Sequence, residues 1–356
     1  MNQALHGEPG SLAVPLAGID TALNQFWRTQ AAIGEQAVLR AATLTLIMMA
    51  GDEKRYQASH QALPHVMDQH PSRIILVRMI DSEREAGVAA FISAHCRLSD
   101  QGGKQVCCEQ ITLHCPRREK EKLPGILLPL LLPDLPVFCW WPEAMQEDRL
   151  FLQSLWRYVD RLIVQTPTET VDWPALRHIA GQMALLNEQV RITDLTWAAI
   201  TDWREALAQL FDGEDGAEML GHLSRLVILI AGARFSAASG WLLAWLMTLL
   251  HWQPLGWVQP TFRGPQGEIA VSFQAAPDLA AQSSTVTAVE MESRLNGQAV
   301  DLWARRRKST EIECGDSRKP AFLVRSPQAD SVRLLCQELT LLQNDDLFIK
   351  ICRSLS

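Results

Sequence analysis

The residues of this chain that could carry chemistry include a carboxylate in the middle of an apolar strand. Glu109 falls within the strand-like segment 107–115 and shares a face with Ile111 and Leu113. A buried carboxylate needs a cationic partner, and Arg73, at the head of the neighbouring apolar strand, is the candidate. We expect an architectural pair, because general acid–base catalysis needs a second titrating group that the sequence does not offer.

A second cluster combines Asp194-Leu195-Thr196-Trp197 with Thr201-Asp202-Trp203-Arg204. Thr201 is suited to a helix N-cap. Arg204 is then expected to reach back to Asp194 or to stack on an indole ring. This arrangement is coherent as a purely structural lock, and it could also form half of a small anionic site.

The aromatic composition is unusual, with twelve Trp against two Tyr, and Trp140-Trp141 closes a strand. Successive side chains of a strand point to opposite faces, so one ring enters the core and the other meets a second layer, a cleft or a partner. We expect at least one ring to be reachable by solvent, since tryptophan is common in binding hot spots. The candidate partner-binding residues are Asp134, Trp140, Trp141, Trp197, Trp203 and Arg204.

Enzyme and metal motifs are missing from the sequence: G-x-G-x-x-G, a P-loop, G-x-S-x-G and H-E-x-x-H do not occur. Gly232-Ala233-Arg234, between a strand and a helix, could hold a phosphate, but a tight turn is favoured. His60, His65 and His70 have near-helical spacing without a completing ligand. The basic run Arg305–Lys308 could meet an acidic partner, although a solvated strand end is favoured. We therefore expect no cofactor and no metal.

Composition and charge limit the partners. The 356 residues are 47% hydrophobic and 21% charged, with a formal charge of −7, which argues against a nucleic-acid binder. The apolar segment 123–139 is interrupted by prolines, and the segment 226–250 by Arg234, so neither predicts a membrane span. Glu8-Pro9-Gly10 stands where a signal peptide needs an apolar core. We expect a soluble, cytoplasmic protein that does not bind membranes.

The eight cysteines are too sparse for a disulfide scaffold, and we expect reduced, mostly buried thiols. A turn at residues 99–103 would place Cys96 opposite Cys107. Opposed Cβ atoms lie about 4.5–5.5 Å apart, and a disulfide prefers about 3.5–4.5 Å, so closing the bond would need a local shift. Such a bond would be easily reduced, as a redox switch requires. The favoured alternative is two inert core thiols beside Ile92 and Ile111.

Strands alternate with helices along most of the chain, which predicts an α/β (mixed α+β) fold. Predicted helices begin near residue 20 and cover 55–70, 120–131, 146–156, 173–189, 202–211, 236–251 and a segment from about 329. Predicted strands are 44–49, 74–77, 88–98, 104–115, 137–141, 160–165, 225–231, 268–275, 285–292, 299–305, 310–314 and 321–325.

Three regions follow from this order of elements. Residues 1–40 comprise an N-terminal tail, which is loose over residues 1–17, and a helix that follows it. Residues 41–168 form an N-terminal domain with a mixed sheet flanked by helices. Residues 169–356 form a C-terminal α/β domain that ends in short antiparallel strands.

Several motifs occur in a specific order: His70-Pro71-Ser72-Arg73, Cys108-Glu109-Gln110-Ile111, the proline-rich run 128–138 that leads to Trp140-Trp141, and the cluster 194–204. This series resembles the glucose-6-phosphate dehydrogenase assembly protein (OpcA) family over residues 20–255. Beyond residue 255 only the pattern of short strands is similar.

The resemblance implies a non-catalytic protein that binds glucose-6-phosphate dehydrogenase. It would promote the assembly and allosteric activation of that enzyme, which opens the oxidative pentose phosphate pathway and makes NADPH. Thioredoxin is a second candidate partner, because cyanobacterial members are tied to thioredoxin-linked redox control, although no C-x-x-C pair occurs here.

Two other functions stay open. The chain could be a sugar-phosphate-binding enzyme with an anionic site around Arg73, Glu109 and Arg204, or a scaffold for an unrelated oligomer. The enzyme would require these charges to converge in one deep pocket.

Overall fold

A computed structural model describes residues 11–33, 37–81, 87–98, 104–145, 150–167, 172–232, 234–256, 260–276, 285–326, 330–341 and 343–356. The fold is mixed α/β, as predicted, and the chain forms two compact units. The first unit consists of Met1–Gln165, Leu186–Thr193 and Ser331–Asn344, and the second of Thr166–Leu185, Asp194–Asp330 and Asp345–Ser356. The domains 41–168 and 169–356 stay a prediction.

The secondary structure of the described residues alternates through most of the chain. The strands are β1 (Leu12–Val14), β2 (Ala37–Arg40), β3 (Leu44–Ala50), β4 (Ser72–Ile80), β5 (Ala89–Leu98), β6 (Lys104–Pro116), β7 (Val137–Trp140), β8 (Arg161–Val164), β9 (Arg191–Asp194), β10 (Arg225–Ala231), β11 (Gln253–Gly256), β12 (Thr261–Gly264), β13 (Gly267–Ala276), β14 (Val286–Leu295), β15 (Gln298–Lys308), β16 (Glu311–Asp316) and β17 (Lys319–Arg325). The helices are α1 (Ile19–Ile33), α2 (Glu53–Gln69), α3 (Leu123–Leu127), α4 (Trp173–Leu186), α5 (Leu195–Ala198), α6 (Thr201–Leu210), α7 (Gly216–Gly221), α8 (Ala237–Leu249), α9 (Ser331–Glu338) and α10 (Asp346–Leu355).

The first sheet has nine strands in the order β1-β5-β6-β4-β3-β7-β8-β9, with β2 paired to β6. Strands β6, β4, β3, β7 and β8 run parallel, while β1 and β5 are antiparallel to their neighbours. The continuous apolar sequence of β3 and β4 suits parallel strands that are covered on both faces. Asp52 caps α2, and the helix ends before His70 and Pro71, next to the predicted end at residue 70.

Strands β3 and β7 are parallel, but their connections lead to opposite sides of the sheet. From the carboxyl end of β3 the chain crosses through α2 to β4, and β6 lies beyond β4 on that side. From the carboxyl end of β7 it continues to β8, on the opposite side of the pair. The gap between the carboxyl ends of β3 and β7 is therefore a topological switch point, where open α/β sheets commonly bind ligands.

The second unit is built on an eight-stranded sheet in the order β11-β12-β13-β10-β14-β15-β16-β17. Strands β10 and β13 are parallel, and the other described pairs are antiparallel. Helix α8 starts at a capping box formed by Ser236 and Ser239, is buried along most of its length, and contacts α5 and α10.

Three predicted segments differ from the structure in the first unit. Residues 12–14 are not a loose tail, because β1 pairs with β5. The segment 120–131 is divided by Pro124 and Pro129 into α3 and flanking 3-10 turns. The described part of 146–156 forms 3-10 turns at Leu150–Leu152 and Trp156–Tyr158 instead of an α-helix. Leu152 and Leu155, three residues apart, are both fully buried.

Strand β9 and helix α5, which meet at Asp194, were not among the predicted elements. Strands β11 and β12 and helix α7 were not predicted, and the terminal helix is divided into α9 and α10. The hairpin strands β5 and β6 are confirmed, while their turn at 99–103 lies outside the described residues. Among the described helices, none is long and apolar enough to cross a membrane.

Candidate functional site

The structure brings Arg73 and Glu109 together. Parallel pairing of β4 with β6 places the two residues side by side, and Arg73 Nε donates to Glu109 Oε2 at 2.9 Å. The second carboxylate oxygen accepts from Trp27 Nε1 at 2.6 Å and lies 2.5 Å from Arg40 Nε. Arg73 also donates to the Leu130 carbonyl at 2.9 Å.

Arg73 and Glu109 thus find their hydrogen-bond and charge partners inside the protein. Arg73 and Glu109 are each 3% exposed, and a carboxylate that meets two cations and an indole N–H is well compensated for its lost hydration. Trp27 and Arg40 were not anticipated as partners. They belong to α1 and β2, and no local sequence pattern connects these elements to β6.

The tryptophan pair lies inside the first unit. Trp140 is 6% exposed and Trp141 is 3% exposed, so the expectation that one ring is reachable by solvent was wrong. Both faces of β7 are covered, and alternating side chains are therefore interior on either side. Trp141 packs against Phe151 with 5.8 Å between ring centroids. Asp134 precedes the strand in an exposed turn, with a left-handed φ of 61°.

Asp194 organises the start of the second cluster. Its Oδ1 accepts from the backbone N–H of Thr166 at 2.9 Å and of Thr196 at 3.0 Å, and its Oδ2 accepts from the Thr166 hydroxyl at 2.6 Å. Burial raises the pKa of Asp194 above its ordinary value, although these donors act in the opposite direction. The residue caps α5 and holds that helix to the segment at Thr166.

Arg204 does not contact Asp194 and stacks on an indole instead. Its guanidinium carbon lies 3.7 Å from the Trp197 ring centroid, and its Nη2 donates to the Thr201 hydroxyl at 2.8 Å. Thr201, which was predicted to be the N-cap, is instead the first residue of α6, and Ile200 is the N-cap. Trp197 Nε1 donates to Asp345 Oδ2 at 2.8 Å. Burial lowers the pKa of Arg204 to about 10, and the nearby Asp345 opposes this shift.

Trp203 takes part in a similar interaction with Arg306. The guanidinium carbon of Arg306 lies 5.4 Å from the Trp203 centroid, and its Nη2 donates to the Ser326 hydroxyl at 3.1 Å. The same hydroxyl donates to Asp202 at 2.7 Å. Both indoles of the cluster are buried and bind cations of their own unit, as the structural-lock hypothesis requires.

The basic run at the end of β15 is paired with carboxylates on neighbouring strands. Arg305 contacts Glu290 at 2.8 Å, Arg307 contacts Glu313 at 2.9 Å and Lys308 lies 3.8 Å from Glu311. These pairs are largely exposed, so each contributes little stability. Apart from Arg306, which contacts Trp203 and Ser326, the run is a solvated strand end. At the phosphate-site candidate, Gly232 has a φ of 67°, as a tight turn requires, and Ala233 lies outside the described residues.

Cys96 and Cys107 form a disulfide, with their Cα atoms 4.1 Å apart. Strand pairing puts the two residues directly opposite each other, Cys107 being buried and Cys96 exposed. The favoured expectation of two inert core thiols was therefore wrong. The other six cysteines are buried and are not disulfide-bonded, and burial raises the pKa of the Cys115, Cys139 and Cys314 thiols to about 12.

Sequence reasoning missed an exposed apolar edge on the second sheet. Within the described residues β17 is the last strand and pairs only with β16. Its central residues Phe322 and Leu323 are 38% and 61% exposed. Successive residues of a strand point to opposite faces, and Leu323 is on the face that carries Trp303. Trp303 lies over Gly315, where a Cβ atom would come within 2.8 Å of the ring. We call β17 together with Trp303 the β17 edge.

Comparison with known proteins identifies the class. Residues 64–181 match the N-terminal domain and residues 190–351 the C-terminal domain described for glucose-6-phosphate dehydrogenase subunits. The chain belongs to the OpcA family of glucose-6-phosphate dehydrogenase subunits. Residues 64–181 carry the tryptophan pair and Glu109, while 190–351 carry the Trp197–Arg204 cluster and the β17 edge.

Individual relatives are distant. The chain is 28% identical over 189 residues to a putative OxPP cycle protein OpcA of Synechocystis sp., covering 53% of this chain and 39% of that protein. It is 27% identical over 212 residues to the protein of the same name in Nostoc punctiforme, covering 58% and 44%. The match thus spans less than half of each relative. The structure of an oxidoreductase from Sinorhizobium meliloti aligns with 88% of this chain and with 86% of its own chain. The TM-score is 0.41 and the sequence identity is 10%, so this similarity supports no functional argument.

Proposed function

We propose that this chain is a non-catalytic subunit that binds glucose-6-phosphate dehydrogenase and promotes its assembly and allosteric activation. The observation that carries the proposal is the match of both segments, 64–181 and 190–351, to domains of glucose-6-phosphate dehydrogenase subunits. The OxPP cycle names of the relatives support a role in the oxidative pentose phosphate pathway.

The contacts of the charged residues support a non-catalytic role. Arg73 and Glu109 neutralise each other in a buried pair, and Arg204 is covered by an indole ring. Each side chain that could have bound a sugar phosphate is thus directed at a partner in its own unit. The sugar-phosphate enzyme remains the alternative, and it predicts turnover by the isolated chain, which a subunit would not show.

The β17 edge is the surface that we propose for contact with the dehydrogenase. An unpaired strand edge offers backbone N–H and C=O groups to an added strand, and exposed apolar side chains strengthen such pairing. Lys319 and Arg325 lie at the two ends of β17. Antiparallel pairing with a second copy would place Lys319 opposite Arg325, and like charges in that position are destabilising. The edge therefore fits an extended partner segment with an apolar centre and acidic ends.

Titration of the purified dehydrogenase from the same organism with this chain tests the proposal, with binding followed by isothermal calorimetry. Leu323→Glu places a negative charge at the centre of the edge and is expected to weaken binding by roughly 2 kcal/mol, or about 30-fold. Leu341→Glu is the matched control, because Leu341 is also half exposed but lies in the other unit.

The two failures are distinguishable. Absence of binding by the unmodified chain would overturn the proposed function. Tight binding by both variants would retain the function and reject the β17 edge as the contact surface.

A further inference from the structure

A cavity of about 90 Å³ lies in the first unit at the carboxyl ends of the parallel strands. Its wall includes Met49 and Gly51 from the end of β3 and Trp141 directly after β7. Pairing of Met48 with Trp140 aligns these two strand ends. The cavity therefore occupies the topological switch point between β3 and β7, where strand connections diverge and leave a crevice.

The charged part of the lining is cationic. Of the described residues that line the cavity, two are charged, Arg117 and Lys120, and both lie in the 3-10 segment after β6. Arg117 is fixed by Asp81, 2.7 Å from its Nε, and by the Gly51 carbonyl. An anion that enters the cavity would meet the guanidinium of Arg117 and the ammonium of Lys120 beside an apolar wall, where the attraction is stronger than in bulk water.

The lining also has an aromatic part, next to Lys120. Trp141 and Phe151 pack at 5.8 Å between ring centroids, and Lys120 Nζ lies 5.4 Å from the Phe151 centroid. A few polar groups on a mostly apolar wall are typical of sites for small organic ligands. The volume corresponds to about three water molecules, enough for an oxyanion head with a short apolar portion.

We propose that this switch-point cavity binds a small organic anion. Its carboxylate or phosphate oxygens contact Arg117 and Lys120, and its short apolar portion lies against Trp141 and Phe151. The site belongs to the first unit and the β17 edge to the second, so this proposal does not depend on the proposed contact surface or on the dehydrogenase.

Tryptophan indole N–H resonances of the full chain, labelled with ¹⁵N, provide a test specific to this site. The Trp141 signal is assigned by its disappearance in Trp141→Phe. Sodium butyrate and sodium methyl phosphate are the probes, and sodium chloride at equal ionic strength is the reference. We expect the Trp141 signal to shift saturably with at least one probe and not with chloride. A response to only one probe identifies the ligand as a carboxylate or as a phosphate.

Lys120→Ala should weaken the response more than about tenfold, because a hydrogen bond to a charged group is lost. Lys122→Ala is the matched control, since Lys122 lies in the same segment, is exposed and pairs with Glu119. The remaining indole signals report whether each variant is folded. A Trp141 signal that neither probe shifts saturably would overturn the proposal, as would equal weakening by the two lysine variants.

Discussion

Asp194 illustrates how much structure one buried side chain can hold in place. Three donors from Thr166 and Thr196 converge on its carboxylate, and each would be unsatisfied without it. A buried donor that loses its acceptor costs about 1–3 kcal/mol. The sequence shows Asp194 as part of a D-L-T-W motif, and the structure shows that it caps α5.

The raised pKa of Asp194 leads to a prediction about pH. A carboxyl group whose pKa is raised in the folded state contributes stability that is fully present below its ordinary pKa of about 3.9 and is lost as pH rises through the folded-state pKa. Asp194→Asn does not titrate and keeps an acceptor for both backbone donors. We expect the free energy of unfolding of the native chain, relative to this variant, to fall between about pH 4 and about pH 7.

Urea unfolding at both pH values measures this difference. Asp194→Ala serves as the reference for loss of the acceptor and should be less stable than Asp194→Asn at every pH, by about 2 kcal/mol. If the free energy of unfolding of the native chain, relative to Asp194→Asn, rises with pH instead, the hydrogen-bond donors outweigh burial. That result would contradict a raised pKa of Asp194.

The hairpin of β5 and β6 is the element in which a covalent bond adds to the pairing. Cys96 and Cys107 lie directly opposite each other in this hairpin, and the exposed position of Cys96 gives a reductant access to the bond. A disulfide that closes a short loop typically stabilises a protein by about 2–4 kcal/mol. Strand pairing already holds the ends of this loop, which places the expected value at the lower end.

We therefore expect dithiothreitol to lower the free energy of unfolding of the native chain by about 2 kcal/mol. The double variant Cys96→Ser, Cys107→Ser should show the lower value with or without reductant. Thioredoxin with its reductase should reproduce the effect of dithiothreitol if the bond serves as a redox switch. Equal stability of the native chain with and without dithiothreitol would show that the bond does not stabilise the fold.

Elements that depend on local sequence were predictable, and those that depend on distant pairing were not. The apolar runs of β3 and β4 and the alternation of the hairpin identify those strands directly. Strand β1 has three residues and forms through its pairing with β5, which no local pattern encodes.

The same distinction holds for the candidate sites. Arg73 and Glu109 could be matched because each has a fixed position on a predicted strand. Trp140 and Trp141 could be assigned to the end of a strand, but the sequence does not show that both rings are buried. A strand at 321–325 was predicted from alternation, whereas its place at the end of the sheet depends on the order of strands.

At the scale of the whole molecule, the proposed role requires a difference in affinity. A regulatory subunit shifts an equilibrium of the dehydrogenase only by binding one of its states more tightly than the other. If the favoured state also binds glucose-6-phosphate better, the substrate and this chain strengthen each other's binding by the same factor.

The most direct test of the central claim is the rate of the purified dehydrogenase against added chain, at several concentrations of glucose-6-phosphate. We expect stimulation that saturates with added chain and is larger at low substrate than at saturating substrate. The chain alone is expected to produce no NADPH. A dehydrogenase rate that is unchanged by the chain at every substrate concentration would contradict the account.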